Sequence, residues 1–316
     1  MGSLTTVALG GGHGLSATLR ALRFLSEDIT AVVTVADDGG SSGRLREEFD
    51  LLPPGDLRMA LSALCEGTQW SRTWREVLQH RFESDGPLGG HALGNLLIAA
   101  LWQHLGDEVQ GLDMVGRLLG TGGRVLPMAS IPLVIKADVH GEGGVHTVAG
   151  QVTVASAAGR LDNVRLDPPN PPVRPEVLAA IERADVIIFG PGSWYTSVLP
   201  HLLVPELAAA VRASSAVIII VMNLSVQAQE TEGLTPADHL RVLRDHDPQL
   251  HCDVVIADPL AVDDPEELVQ EAAGMGGTVL FRQVRSARRR DVHDPLRLAA
   301  AIRDAAEGAL GDVSTV

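Results

Sequence analysis

The feature that most constrains the fold is a strand, a glycine-rich turn, a helix and a second strand at the start of the chain. Leu4–Gly11 is mostly apolar, Gly12–Leu25 reads as a glycine turn that continues into an amphipathic helix, and Ile29–Ala36 is a second apolar run. A helix between two such strands is typical of the crossover that joins parallel strands. The sequence therefore predicts a parallel sheet, with ligands gathered at the carboxyl ends of its strands.

A segment rich in hydrogen-bonding groups, DDGGSSGR, follows the second strand at residues 37–44. Its glycines free backbone N–H groups, its serines supply hydroxyls and its arginine supplies a guanidinium, a combination that suits an anion. Its two carboxylates can accept ribose hydroxyls or bind a metal ion. A Gly/Ser turn that serves only connectivity is the alternative. The predicted ligand contacts of this segment are Asp37, Asp38, Gly40, Ser41, Ser42 and Arg44.

The first glycine turn, GGGHGLSA, matches the pattern G-x-G-x-x-G/A between a strand and a helix. Glycines let the backbone approach a phosphate, and a helix N-terminus offers N–H groups and a favourable dipole. Asp37 follows at about the spacing, roughly 20 residues, of a ribose-binding carboxylate. Together, the turn and the DDGGSSGR segment predict a nucleotide site that includes Gly10, Gly11, Gly12, His13 and Gly14.

HALGN places His91 and Asn95 four residues apart, which puts them on one face if a helix has begun. They can contact a phosphate or a ribose, and His91 can act as a general acid or base. Purely local hydrogen bonds at the start of a helix are an equal alternative.

A second glycine turn, GPGSWYTS, follows an apolar run and offers another phosphate cradle. Its Trp194 and Tyr195, the latter the only tyrosine, give a stacking surface or pack in the core beneath the turn. The polar run NLSVQAQETEG ends a further strand, where Gln229 and Thr231 either contact the ligand or face solvent. The contacts predicted from both segments also include Gly190, Gly192, Ser193 and Asn223.

The second half of the chain repeats the alternation of strands and helices, which predicts one continuous α/β domain over residues 1–316. In the centre, IPLVIKADV and HTVAGQVTVAS alternate in the manner of strands on either side of the turn His140–Gly144. This pattern predicts an antiparallel hairpin inserted in, or extending, the main sheet.

Composition excludes several classes of function. Lys136 is the single lysine and lies in a strand-like run, so the chain lacks a Walker A loop. The net charge of −15 argues against nucleic acid and anionic membranes as partners. No apolar run of membrane-spanning length and no signal peptide is present, and Cys65 and Cys252 form no metal pattern, so we expect a cytoplasmic protein with buried thiols. We expect no structural metal, although Mg²⁺ at Asp37 or Asp38 remains a candidate.

The ordered motifs GGGHGLS, TVADDGGSSGRLR, PPGD, GHALGN, GPGSWYTS and NLSVQAQETEG resemble the YvcK-type gluconeogenesis factors, a bacterial branch of the CofD-like superfamily. The resemblance runs from about Val7 to His239 and continues weakly to His293–Pro295. It implies a Rossmann-like three-layer α/β/α fold with a mostly parallel sheet. It also implies a cytoplasmic role in growth on gluconeogenic carbon sources, cell shape and peptidoglycan precursor supply, with UDP-N-acetylglucosamine as ligand. A second copy of this chain and cell-wall regulatory proteins are candidate partners.

Three functions follow from the sequence, and we favour a regulatory protein that binds a nucleotide sugar without turnover. The alternative, implied by the CofD-like enzymes, is Mg²⁺-dependent transfer of a phospholactyl group from a guanosine diphosphate carrier to a deazaflavin. Its candidate catalytic residues are Asp38, Asp56 and His91. The glycine fingerprint alone suggests an NAD-dependent dehydrogenase, but the donor-rich DDGGSSGR segment stands where such enzymes have a plain acidic residue beside the ribose.

Overall fold

A computed structural model describes residues 4–141, 144–157, 159–225 and 233–313. Its strands are β1 (Thr5–Gly10), β2 (Asp28–Val33), β3 (Arg124–Pro127), β4 (Val134–Gly141), β5 (Gly144–Ala149), β6 (Arg160–Asp167), β7 (Val186–Phe189), β8 (Val217–Val221), β9 (Val254–Ala257) and β10 (Thr278–Phe281).

Helices connect these strands and flank the sheet. They are α1 (Gly12–Leu22), α2 (Gly40–Phe49), α3 (Pro54–Ala63), α4 (Gln69–Gln79), α5 (Leu93–Leu105), α6 (Glu108–Leu119), α7 (Gln151–Ala155), α8 (Pro175–Glu182), α9 (Pro205–Ala213), α10 (Pro236–His246), α11 (Pro265–Gly274) and α12 (Pro295–Val313).

Seven strands form one parallel sheet in the order β10, β9, β8, β7, β1, β2, β3. All residues of β7 and β8 are buried, as expected of strands that helices cover on both faces. The predicted three-layer α/β/α fold with a mostly parallel sheet is confirmed. Because β1 pairs with β2 on one side and β7 on the other, the crevice at the carboxyl end of β1 is the place where such a sheet binds ligands.

The central segment differs from the prediction in two ways. Strands β4 and β5 do form an antiparallel hairpin, but with β6 they make a separate three-stranded sheet in the order β5, β4, β6. The part of HTVAGQVTVAS that lies beyond Ala149 is not strand, because Gly150 at φ 98° turns the chain and α7 begins at Gln151. Apolar residues in VTVA suit a short helix and a strand equally.

Two other features bear on the sequence predictions. Cys65 and Cys252 are buried and free, as expected. Within the described part of the chain, no helix has both the length and the apolar character needed to cross a bilayer.

Candidate functional site

Three helices begin close together beyond the carboxyl ends of β1 and β2. Helix α1 starts directly after β1, and α2 starts at Gly40 after β2. The backbone N–H of Gly55, in the first turn of α3, donates to Oγ of Ser42 in the first turn of α2 at 3.0 Å. The backbone N–H of Gly12, at the start of α1, donates to the Asp56 carboxylate of α3. Three N-terminal dipoles therefore converge on one place, which favours negative charge there.

The DDGGSSGR segment is helical over much of its length. Gly39 precedes the helix in extended conformation, and Ser41, Ser42 and Arg44 all belong to α2. The sequence alone does not indicate this helix, because glycine and serine favour turns when no tertiary contact is known. The predicted donors remain, but they form a helix N-terminus.

Asp56 has an unusual environment in the first turn of α3. The helix begins at Pro54, a residue suited to the first helical position, so Asp56 lies inside the first turn and is not the N-cap. Its Oδ2 is buried and has no hydrogen-bond partner in the described residues. Burial, and then the negative charge of Asp37, raise the pKa of Asp56 to about 7, against the lowering effects of Gly12 N–H and Arg58.

Asp37 and Asp38 are adjacent in sequence but face different parts of the molecule. Oδ1 of Asp37 accepts the N–H of Gly39 at 2.9 Å. Its Oδ2 lies beside Gly55 in α3, since a Cβ built on that glycine would meet it at 2.9 Å. Asp38 instead accepts the N–H of Val152 at 3.0 Å, at the start of α7. The neighbouring carboxylates at this site are therefore Asp37 and Asp56, and Asp38 connects the main sheet to the small one.

A chain of buried polar side chains lies beside these carboxylates. Oγ of Ser41 lies 3.0 Å from Nδ1 of His91 and accepts from Nδ2 of Asn95 at 3.0 Å. Oδ1 of Asn95 in turn accepts from Nε of Arg58 at 2.7 Å. Burial, and then the charge of Arg44, lower the pKa of His91. The structure thus brings His91 and Asn95 together at Ser41, although His91 precedes α5 and the two do not share a helix face.

Arg58 is the residue that the motif search missed. It is 4% exposed, yet it stands on the apolar face of α3, between Leu57 and Leu61. The signal available in the sequence was an arginine inside the mostly apolar run LRMALSAL, residues 57–64. Besides Asn95, its guanidinium donates to Oε1 of Gln79, so the side chain is held on two sides.

The second glycine turn packs directly on the first. A Cβ built on Gly14 would lie 1.7 Å from the carbonyl oxygen of Pro191, so only glycine permits this approach. Asn223 holds the same turn: its Oδ1 accepts the N–H of Gly192 and its Nδ2 donates to Gly192 O, both at 2.8 Å. Gly190 and Gly192 therefore lie next to Gly10–Gly14, with Asn223 as their support.

The aromatic pair after this turn does not offer the open stacking surface that the sequence suggested. Trp194 is fully buried, stacks on His239 at a centroid distance of 4.8 Å and donates its Nε1–H to His239 O at 2.7 Å. For this ring the stacking prediction is wrong, because core packing takes both the ring face and the N–H. Tyr195 is also buried, and Oγ of Ser193 accepts the N–H of Thr196, capping a π-helical turn over Trp194–Val198.

Two adjoining cavities open onto this arrangement. The larger, about 940 Å³, is lined by residues that include Asp38, Ser41 and Arg44. The smaller, about 230 Å³, is lined by residues that include Asp37, Asp56 and Asn95. Arg44 donates to Pro87 O at 3.2 Å and Gly89 O at 2.8 Å, which secures the segment before His91. Gln229 and Thr231 lie outside the described residues.

The oxygen atoms of Asp37 and Asp56 are of the kind that Mg²⁺ binds, but two carboxylates do not fill its coordination shell. Asp37 and Asp56 offer hard oxygen ligands, and Asp56 Oδ2 is unpartnered. In the described residues, no group of three or more His, Cys, Asp or Glu side chains could bind a metal by itself. Mg²⁺ commonly binds one or two carboxylates and takes its other ligands from phosphates and water, so these two residues suit a metal that arrives with a phosphorylated ligand.

Comparison with known proteins shows to which family the chain belongs. The family described as 2-phospho-L-lactate transferase CofD matches residues 6–282. The chain belongs to the CofD family. A relative from Mycobacterium tuberculosis is 48% identical over 307 residues, which cover 94% of this chain and 88% of the relative.

Further relatives locate the chain within the CofD family. The gluconeogenesis factor of Bacillus subtilis is 42% identical over 247 residues, covering 78% of this chain and 76% of that protein. A crystal structure of a UPF0052 family member from Bacillus halodurans superposes with a TM-score of 0.86 at 36% identity, covering 96% of this chain and 99% of that one. The resemblance to gluconeogenesis factors is therefore confirmed.

Proposed function

We propose that this CofD family protein binds a nucleotide sugar, UDP-N-acetylglucosamine, and acts as a cytoplasmic regulator of cell shape and peptidoglycan precursor supply. The observation that carries the proposal is the convergence of α1, α2 and α3 at their N-termini. A diphosphate is the ligand group that best uses three helix N-termini and two glycine turns. Gly10–Gly14 and Gly190–Ser193 would approach the phosphates.

The remaining groups suit a sugar nucleotide. Asp37, beside the glycine turn, can accept hydroxyls of the ribose. Asn95 and Ser41 present polar atoms at the cavity walls for the sugar. The gluconeogenesis-factor name of the Bacillus subtilis relative supports the regulatory reading.

Transfer of a phospholactyl group is the second candidate, and the state of Asp56 favours it. A carboxylate with a pKa of about 7 suits proton transfer at neutral pH. Mg²⁺ bound by Asp37 would neutralise phosphate charge in such a reaction and would leave Asp56 free to transfer the proton. His91, whose Nδ1 lies 3.0 Å from Ser41 Oγ, would position that serine.

Calorimetric titration tests the binding proposal. We expect saturable binding of UDP-N-acetylglucosamine with at least micromolar affinity, and weaker binding by Asp37→Asn. Asp245→Asn, an equal charge change at an exposed position of α10, is the matched control and should bind like the wild type. Absence of heat at millimolar ligand would refute the proposal.

The enzyme alternative has a separate test. The protein is incubated with Mg²⁺, a guanosine-diphosphate-linked phospholactate and a deazaflavin acceptor, and product is followed by mass spectrometry. Turnover that Asp56→Asn abolishes would favour the transferase. Binding of a nicotinamide dinucleotide, followed by fluorescence, would instead favour a dehydrogenase.

A further inference from the structure

A third cavity, of about 460 Å³, lies between helices α1, α3 and α4, and Arg58, Met59 and Arg81 line both it and the 230 Å³ cavity. Its lining contains four arginines and one histidine. The residues concerned are Arg20 and His13 of α1, Arg58 of α3, Arg75 of α4 and Arg81, with Glu76 as the one carboxylate in the lining. Its volume lies in the range, roughly 300–1,000 Å³, of small-molecule sites.

None of the four arginines that line this cavity forms one of the ion pairs seen among the described residues. Arg124 and Arg241, for example, form ion pairs with carboxylates at 2.9 Å or less. In the described residues, Arg20 and Arg75 have neither an ion pair nor a hydrogen bond, and Arg81 donates to a backbone carbonyl, Gly90 O, at 2.8 Å. A protein of net charge −15 thus places four arginines without a described ion pair around one cavity.

The electrostatics of the cluster agree with this. Burial, followed by the charges of Arg75 and Arg23, lowers the pKa of Arg20. Burial and then Arg81 lower the pKa of Arg58 to about 10, against the raising effects of Asp56 and Asp37. Repulsion among the guanidiniums costs folding free energy, and a bound anion would relieve it.

Arg58 makes this cavity a built site rather than a group of surface arginines. Its side chain is 4% exposed and fixed between Asn95 and Gln79, while Gln79 Nε2 donates to Ser62 Oγ at 2.7 Å. A guanidinium with a fixed orientation loses little entropy when it binds an anion. Side chains from three helices surround the space, which suits a tetrahedral dianion better than a planar carboxylate that one arginine can satisfy.

We propose that this cavity binds a second ligand, a phosphorylated metabolite of about monosaccharide size, beside the nucleotide site. Arg58 would join the two sites, because it lines both cavities and its Nε donates to Asn95 Oδ1. The proposal goes beyond the nucleotide-binding function and does not depend on which nucleotide binds there.

The test is titration of pyrophosphate and of inorganic phosphate at constant ionic strength, with and without saturating UDP-N-acetylglucosamine. The double variant Arg20→Gln/Arg75→Gln removes two guanidiniums that make no described hydrogen bond, so it should fold, as circular dichroism would verify. The control Arg183→Gln/Arg303→Gln makes the same charge change at two exposed positions, the C-cap of α8 and a residue of α12.

Wild type and control should bind pyrophosphate in the presence of the nucleotide sugar, and the double variant should bind it about tenfold more weakly or not at all. UDP-N-acetylglucosamine affinity should stay within about threefold in both variants. The proposal is overturned if neither anion binds the wild type, if the double variant binds as the wild type does, or if the nucleotide sugar displaces the anion. If UDP-N-acetylglucosamine itself fails to bind, the proposed function fails, and titration of the free protein still decides this site.

Discussion

Asp37 lies beside Asp56 where α1, α2 and α3 begin, and its charge adds to burial in raising the pKa of Asp56 to about 7. Two carboxylates that share a small cavity avoid carrying two full charges near neutral pH. The pair can therefore bind a hydroxyl, a proton or a cation at little cost. It is the chemically most distinctive part of the described structure.

Replacing Asp37 should change the titration of Asp56. In Asp37→Asn, the pKa of Asp56 should fall by about half a unit or more, but burial should keep it above the usual value near 3.9. Carboxyl ¹³C NMR over a pH series measures this. Asp38→Asn serves as the control, because Asp38 faces α7, and it should leave the Asp56 titration almost unchanged. Equal effects of the two variants would contradict the assigned pair.

The same group makes stability depend on pH. Asp56 has a raised pKa in the folded state, so between about pH 4 and 7 the folded protein binds more protons than the unfolded chain, and this group makes stability fall as pH rises. The side chain in Asp56→Asn keeps an oxygen that can accept the Gly12 N–H but does not titrate, so the variant should not lose stability in this way as the pH rises. Relative to the wild type it should gain up to about 4 kcal/mol between pH 4 and pH 8 in urea unfolding. A stability difference independent of pH would show that Asp56 is not perturbed.

The two glycine turns pack so closely that one added methyl group at Gly14 should separate them. Gly14→Ala would place Cβ against Pro191 O, and separating the turns should cost about 2–4 kcal/mol of unfolding free energy. Gly308→Ala is the matched control, since it also lies in a helix, is exposed and meets nothing within 4 Å. It should stabilise the protein by up to about 1 kcal/mol. Thermal and urea unfolding distinguish the two, and equal effects would contradict the packing.

Arg241 connects α10 to α11 through Asp238, Glu267 and Glu271, at 2.6–2.9 Å. Because several charges form one partly buried network, Arg241→Met should destabilise the protein by about 1–2 kcal/mol, and less at high salt. Arg289→Met, which breaks one exposed pair with Asp291, should have no measurable effect. If both variants unfold alike at low salt, the network does not stabilise the contact.

Much of this arrangement could be predicted from the sequence because it depends on local pattern. The apolar runs before Gly10 and Gly190 indicate buried parallel strands, and glycines after them indicate turns near a ligand. His91 and Asn95 were singled out for their four-residue spacing, but α5 begins only at Leu93, so they meet through Ser41 and not on one helix face.

What the sequence did not reveal depends on tertiary contacts. Strand β3 is four residues long and is strand because it pairs with β2, so its composition carries little signal. A tryptophan after a glycine turn can pack in the core or stack on a ligand, and the sequence does not distinguish the two. The structure does, because Trp194 stacks on His239. The pairing of Asp56 with Asp37, rather than Asp37 with Asp38, requires knowing where α3 begins relative to α1.

The central claim is that a nucleotide diphosphate sits where the three helix N-termini meet. A crystal structure of the protein with UDP-N-acetylglucosamine tests it most directly. We predict that the diphosphate lies against Gly10–Gly14 and the first turn of α2, with Asp37 at the ribose. A nucleotide bound elsewhere, with Gly10–Gly14 and Asp37 free of ligand contact, would contradict the claim.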